Sequence, residues 1–76
     1  MTTQTAEEAM ESKKTKAEQL LADKILARDF ARQAKQGETD EFVTTVLSKD
    51  IERYDLEIEA LQAFIEGIQL EVLRRS

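Results

Sequence analysis

The chain has 76 residues, with 11 Lys/Arg against 16 Asp/Glu, two Gly, and no Pro, Cys, His or Trp, giving a net charge of −5. The missing Cys and His exclude thiol chemistry, disulfides, imidazole general bases and the usual transition-metal ligands, while the missing Pro leaves almost nothing to break a helix. Net negative charge argues against general affinity for nucleic acid, and no apolar run approaches the ~20 residues of a membrane span. The first residues, Met-Thr-Thr-Gln-Thr-Ala-Glu-Glu, are polar and acidic, unlike a basic-then-apolar targeting segment. The expectation is a single cytoplasmic, all-α domain over residues 1–76 with no cofactor.

Residues 1–4 are expected to fray. Thr5 followed by Glu8 has the S/T-x-x-E spacing of a capping box, in which hydroxyl and carboxylate each satisfy a free backbone N–H. A first helix of about 6–36 follows, rich in Ala and other strong helix formers. Arg32 and Lys35 put positive charge in its last turn, and Gly37 is suited to the left-handed conformation that often closes a helix. Thr39 or Asp40 offers the next N-cap, opening a second helix of about 40–74. So short a connection turns the helices antiparallel, as a hairpin. The β-branched run Val43-Thr44-Thr45-Val46 ahead of Ser48 is the weakest part of the second helix and a possible kink, but with no Pro nearby one continuous helix is expected.

The strongest pattern in the chain is the step of alternating three and four residues through Thr44, Leu47, Ile51, Tyr54, Ile58, Leu61, Ile65, Ile68 and Val72. This is a heptad seam, which keeps one apolar stripe facing a partner helix. Behind it lies a second stripe, Leu56, Ala60, Ala63, Gly67 and Leu70, with Phe64 between the two. One neighbouring helix cannot cover both stripes. The hairpin supplies one neighbour and a second copy the other, so the fold expected is a long antiparallel helical hairpin that dimerises into a four-helix bundle. The association surface is expected among Leu47, Ile51, Tyr54, Ile58, Leu61, Ile65, Ile68 and Val72 on one face and Ala60, Ala63 and Gly67 on the other; which face meets which helix stays open.

The first helix carries a weaker seam, Ala6, Met10, Lys13, Ala17, Leu20, Lys24, Ala27, Ala31 and Ala34, with Leu26 and Phe30 to one side and Leu21 and Ile25 to the other. Charge is split between the halves. Residues 1–36 hold seven Lys/Arg and six Asp/Glu, and residues 37–76 hold four and ten. Lys13, Lys16, Lys24, Arg28 and Lys35 can therefore face Asp50, Glu57 and Glu71 across the hairpin, setting orientation more than stability.

Catalytic patterns are missing. Glu7, Glu8, Glu11, Glu52, Glu57, Glu59 and Glu66 sit among charged neighbours and are expected to be solvated. A di-iron bundle needs Glu-x-x-His, a serine triad needs a His base for Ser12, Ser48 or Ser76, and no calcium-loop spacing occurs. Tyr54 at a seam position is expected to be a core tyrosine with its hydroxyl at the bundle edge. The expected function is a non-enzymatic protein-protein interaction module, scaffold or small regulator, partnered by itself and by another protein. Two other readings carry weaker support. In one, the carboxylates of the second helix mimic nucleic acid and block a nucleic-acid-handling protein. In the other, Lys24, Arg28, Arg32 and Lys35 bind phosphates weakly, although no aromatic interleaves them to stack bases.

Overall fold

A computed structural model describes residues 6–75, the side chains of Glu7 and Arg75 aside. The capping box read at Thr5 and the fraying read at residues 1–4 lie outside the described residues. Two helices, α1 (Ala6–Gln36) and α2 (Glu41–Arg75), pack against each other, and the described residues contain no strand. The boundaries follow the sequence closely, because the composition leaves the chain no other place to stop than the Gly37–Asp40 segment.

The turn is closed differently from the expectation for Gly37. No glycine has positive φ, so there is no left-handed cap. Instead the Glu38 N–H donates to the Lys35 carbonyl at 3.2 Å, a tight i to i+3 closure that uses one of the free carbonyls at the helix end and needs no left-handed residue. The Glu38 carboxylate then accepts from the amides of Thr39 and Asp40. Asp40 is the N-cap of α2: its Oδ1 accepts from Phe42 N at 2.8 Å and Val43 N at 3.3 Å, satisfying donors the helix itself cannot.

α2 runs unbroken through Ser48. Thr44 and Thr45 return their hydroxyls to the carbonyls of Asp40 and Glu41, both at 2.9 Å. Bonding back into the preceding turn lets these β-branched residues sit in helix without exposing a new cap.

The Ile/Val seam of α2 faces α1. Ile58, Ile65 and Ile68 are buried, as are Ala17 and Ala31 of α1. The α1 seam departs from the expected register. Ala17 and Ala31 are buried and Met10, Lys14, Leu21, Lys24, Ile25, Ala27 and Arg28 half-buried, whereas Lys13, Leu20 and Ala34 are exposed. The two registers share Met10, Ala17, Lys24, Ala27 and Ala31 and differ in the positions between. Turning α1 this way exchanges Leu20 for Leu21 with Ile25 beside it, which brings more branched apolar surface to the isoleucines. It also carries the Arg28 guanidinium to Asp55, 3.0 Å away.

The hairpin is an open object. Its radius of gyration is 17.3 Å, against about 11 Å for a compact chain of this length. It exposes 6012 Å², where a compact monomer of 8.7 kDa exposes about 4,700 Å².

Candidate functional site

Two features stand out from the plain helical rod: a charged clasp across the middle of the hairpin and a large apolar surface that α1 and α2 do not cover for each other. The clasp grows out of the α1 register. Lys24 Nζ pairs with Glu57 Oε2, both side chains about one-third exposed. One turn on, Arg28 donates to Asp55 Oδ1 at 3.0 Å and Arg32 approaches the same carboxylate at 3.8 Å. Within α2, Arg53 lies 3.5 Å from Asp50 and 3.7 Å from Glu57, the i,i+3 and i,i+4 distances of neighbouring turns. Lys24 Nζ and Arg53 Cζ stand 5.7 Å and 5.2 Å from the centre of the Tyr54 ring, within reach of its negative π face.

Half-exposed ion pairs of this kind are worth ~0 to 1 kcal/mol each. Their consequence is geometric. Pairing Lys24 with Glu57 and Arg28 with Asp55 is satisfied at one sliding position of the helices, so the clasp fixes the register that a repetitive heptad seam leaves ambiguous. Glu57 is therefore half-buried and paired, not solvated as its charged neighbours suggest. Asp55 takes two arginines because α1 turns Arg28 inward. The Arg53 spacing to Asp50 and Glu57 was readable in sequence; the Arg28–Asp55 pair depends on the α1 register and was not.

The expected association residues divide into two sets. Ile58, Ile65 and Ile68 are buried against α1, and Leu47, Ile51, Tyr54, Leu61 and Val72 are half-buried in the same seam; Ala60, Ala63 and Gly67 are exposed. Thus the seam serves the hairpin and the small-residue stripe lies outward. A Cβ built on Gly67 would meet nothing within 4 Å. Large side chains accompany this outward stripe: Leu56 and Leu70 behind α2, Leu26 and Phe30 behind α1 at 68% and 75% exposure, and Phe42, Val46, Phe64 and Leu20 along one flank. On that flank Leu20, Leu61 and Phe64 line an apolar groove with Ala17, bordered by Lys13 and Lys16. The opposite flank is mixed, carrying Lys14, Gln69 and the Arg28–Asp55–Arg32 network together with half-buried Val72 and exposed Leu73.

Among the described residues no group of three or more carboxylates is placed to hold a metal ion, and no helix is long and apolar enough to cross a membrane. The chain matches no protein-family model, no curated protein and no solved structure. Its functional reading therefore rests on the surface just described.

Proposed function

We propose that this chain is a non-enzymatic interaction module that works as a homo-oligomeric helical bundle. One observation carries the reading: among the described residues ten large hydrophobic side chains, Leu20, Leu26, Phe30, Phe42, Val43, Val46, Leu56, Phe64, Leu70 and Leu73, stand exposed while five residues form the buried core. Apolar surface on that scale marks an interaction face in a stable protein. Gly67 adds support. Mid-helix glycine costs about 1 kcal/mol relative to alanine, and within one hairpin nothing lies near it that would require the missing side chain. Close approach by another helix would give it a use.

Light scattering at micromolar concentration is expected to give a mass of at least twice the 8.7 kDa of one chain. A monomeric mass with full helicity would remove this reading.

A second reading has its own observation. Glu52, Glu59 and Glu66 recur every seven residues on the exposed side of α2 and make no ion pair among the described residues. A line of free carboxylates spaced about 10 Å apart suits a basic cleft of a nucleic-acid-handling protein. The measurement that separates the readings is charge reversal, Glu59→Lys with Glu66→Lys. An interaction module that works through apolar contact keeps its mass and its partner capture, whereas an acidic mimic keeps its mass and loses capture. Lys24, Arg28 and Arg32 are engaged with Glu57, Asp55 and Asp29, which weakens support for phosphate binding by the basic face of α1.

A further inference from the structure

Resting on the reading that the chain self-associates, we infer that two hairpins pair through the Leu20–Phe64 flank about a two-fold axis parallel to the helices, so that both inter-helix turns lie at the same end of the bundle. The choice of flank comes from the side chains. On α1 the row Lys13, Leu20, Ala27 and Ala34 repeats every seven residues and keeps to one side of the helix. On α2, Val46 and Phe64 are 18 residues apart, five whole turns, and so share a line, with Ala60 one turn from Phe64. These rows border the apolar groove of Leu20, Leu61 and Phe64. The other flank sets the Arg28–Asp55–Arg32 ion-pair network, Lys14 and Gln69 beside Val72 and Leu73.

Area permits the contact. The hairpin presents a face of 56 by 26 Å, more than the about 800 Å² each partner contributes to a stable complex. The hairpin also exposes well over 1,000 Å² beyond a compact monomer of its mass.

Charge selects the axis. Two hairpins meeting face to face can be related in two ways. With the axis across the helices, the turns lie at opposite ends and like helix packs on like, α1 on α1 and α2 on α2. With the axis along the helices, the turns lie together and α1 of each copy packs on α2 of the other. α1 carries seven basic and six acidic residues and α2 four and eight, so the first arrangement sets two acidic helices side by side, while the second alternates them with helices of slight positive charge. Local contacts agree. Lys24 is level with Glu57 and Lys14 with Gln69 in the antiparallel hairpin, so Lys13 and Lys16 are level with the stretch 65–70 of α2. Neither lysine has an ion-pair partner among the described residues. In the same-end arrangement they meet the acidic α2 of the second copy, and Leu20 meets its Phe64.

The chain has no cysteine, so Thr39→Cys in the exposed turn carries a single spin label. Pulsed electron-spin distance measurement on the full chain is expected to give about 20 Å or less between labels, one or two inter-helix spacings of 8–10 Å. A dimer with labels near the 56 Å length of the hairpin would overturn the same-end arrangement and leave self-association standing; a monomeric mass would overturn both. The flank is tested separately. Phe64→Lys, at a side chain 49% exposed within one hairpin, is expected to reduce the dimer to monomer with helicity retained, whereas Leu26→Lys behind α1 keeps the dimer. The reverse pattern would overturn the flank.

Discussion

Replacing Ile58 and Ile65 together by Asp is expected to abolish the folded hairpin at 25 °C, seen as loss of most far-ultraviolet helical signal. Both side chains are almost fully covered, at 5% and 9% exposure, by α1. Removing a buried isoleucine costs about 2–5 kcal/mol in lost burial and cavity formation. A carboxylate adds the cost of losing its water. The positions are seven residues and so about 10 Å apart, far enough for the two costs to add approximately. Their sum reaches or exceeds the about 4–11 kcal/mol expected for the whole stability of a chain this size. Leu26→Asp is the matched comparison: a leucine of similar size at 68% exposure, where substitution should change hairpin stability by no more than ~0.5 kcal/mol. If the double variant kept its helicity, the Ile/Val seam would not be the hairpin contact.

The contrast between these positions also explains what could be read from sequence. The α2 seam was legible because its large branched residues recur at heptad spacing for four turns of the pattern, and β-branched isoleucines and valines rarely keep such a period by accident of composition. Helix limits were legible because Gly37, Thr39 and Asp40 concentrate all the local punctuation in one place. The face that α2 gives to α1 was not legible. Either stripe of α2 could have met an alanine-rich helix, and the decision depends on summed burial over both helices, which no single position records. The α1 register failed for a related reason: with Ala on every side, apolar period alone barely distinguishes Leu20 from Leu21, and the charged pairs that tip the balance join residues far apart in sequence. Gly37 misled in another way, since a glycine permits a left-handed cap without requiring one, and Glu38 closed the turn by other means.

Those observations bear on function through the distance between helices. The seam, the clasp and the outward stripe are compatible only while α1 stays close to α2.

Ala17 and Ala31 hold that distance, and enlarging both to Leu is the second variant expected to have a large effect. They are 6% and 7% exposed, two of the five buried residues among those described, and small side chains that the Lys24–Glu57 and Arg28–Asp55 pairs place level with Ile65 and Ile51 of α2. Each leucine adds three carbon atoms at a contact with no space for them, so the helices must separate or the isoleucines leave their rotamers, at a cost of about 1–3 kcal/mol per site. Together these should lower the thermal midpoint by at least about 8 °C, taking the lower end of that range and 4 °C per kcal/mol for a domain of this size. Ala22→Leu on the exposed side of α1 should leave the midpoint nearly unchanged, because it adds the same atoms where there is room. Separation has a further readout. Arg28 reaches Asp55 at 3.0 Å only at the present spacing, so the enlarged variant should also become insensitive to Asp55→Asn, a change that costs the parent chain its clasp. If the leucine variant melted like the parent, α1 would not approach α2 through these alanines, and the register that turns Arg28 inward and Leu20 outward would have to be given up with it.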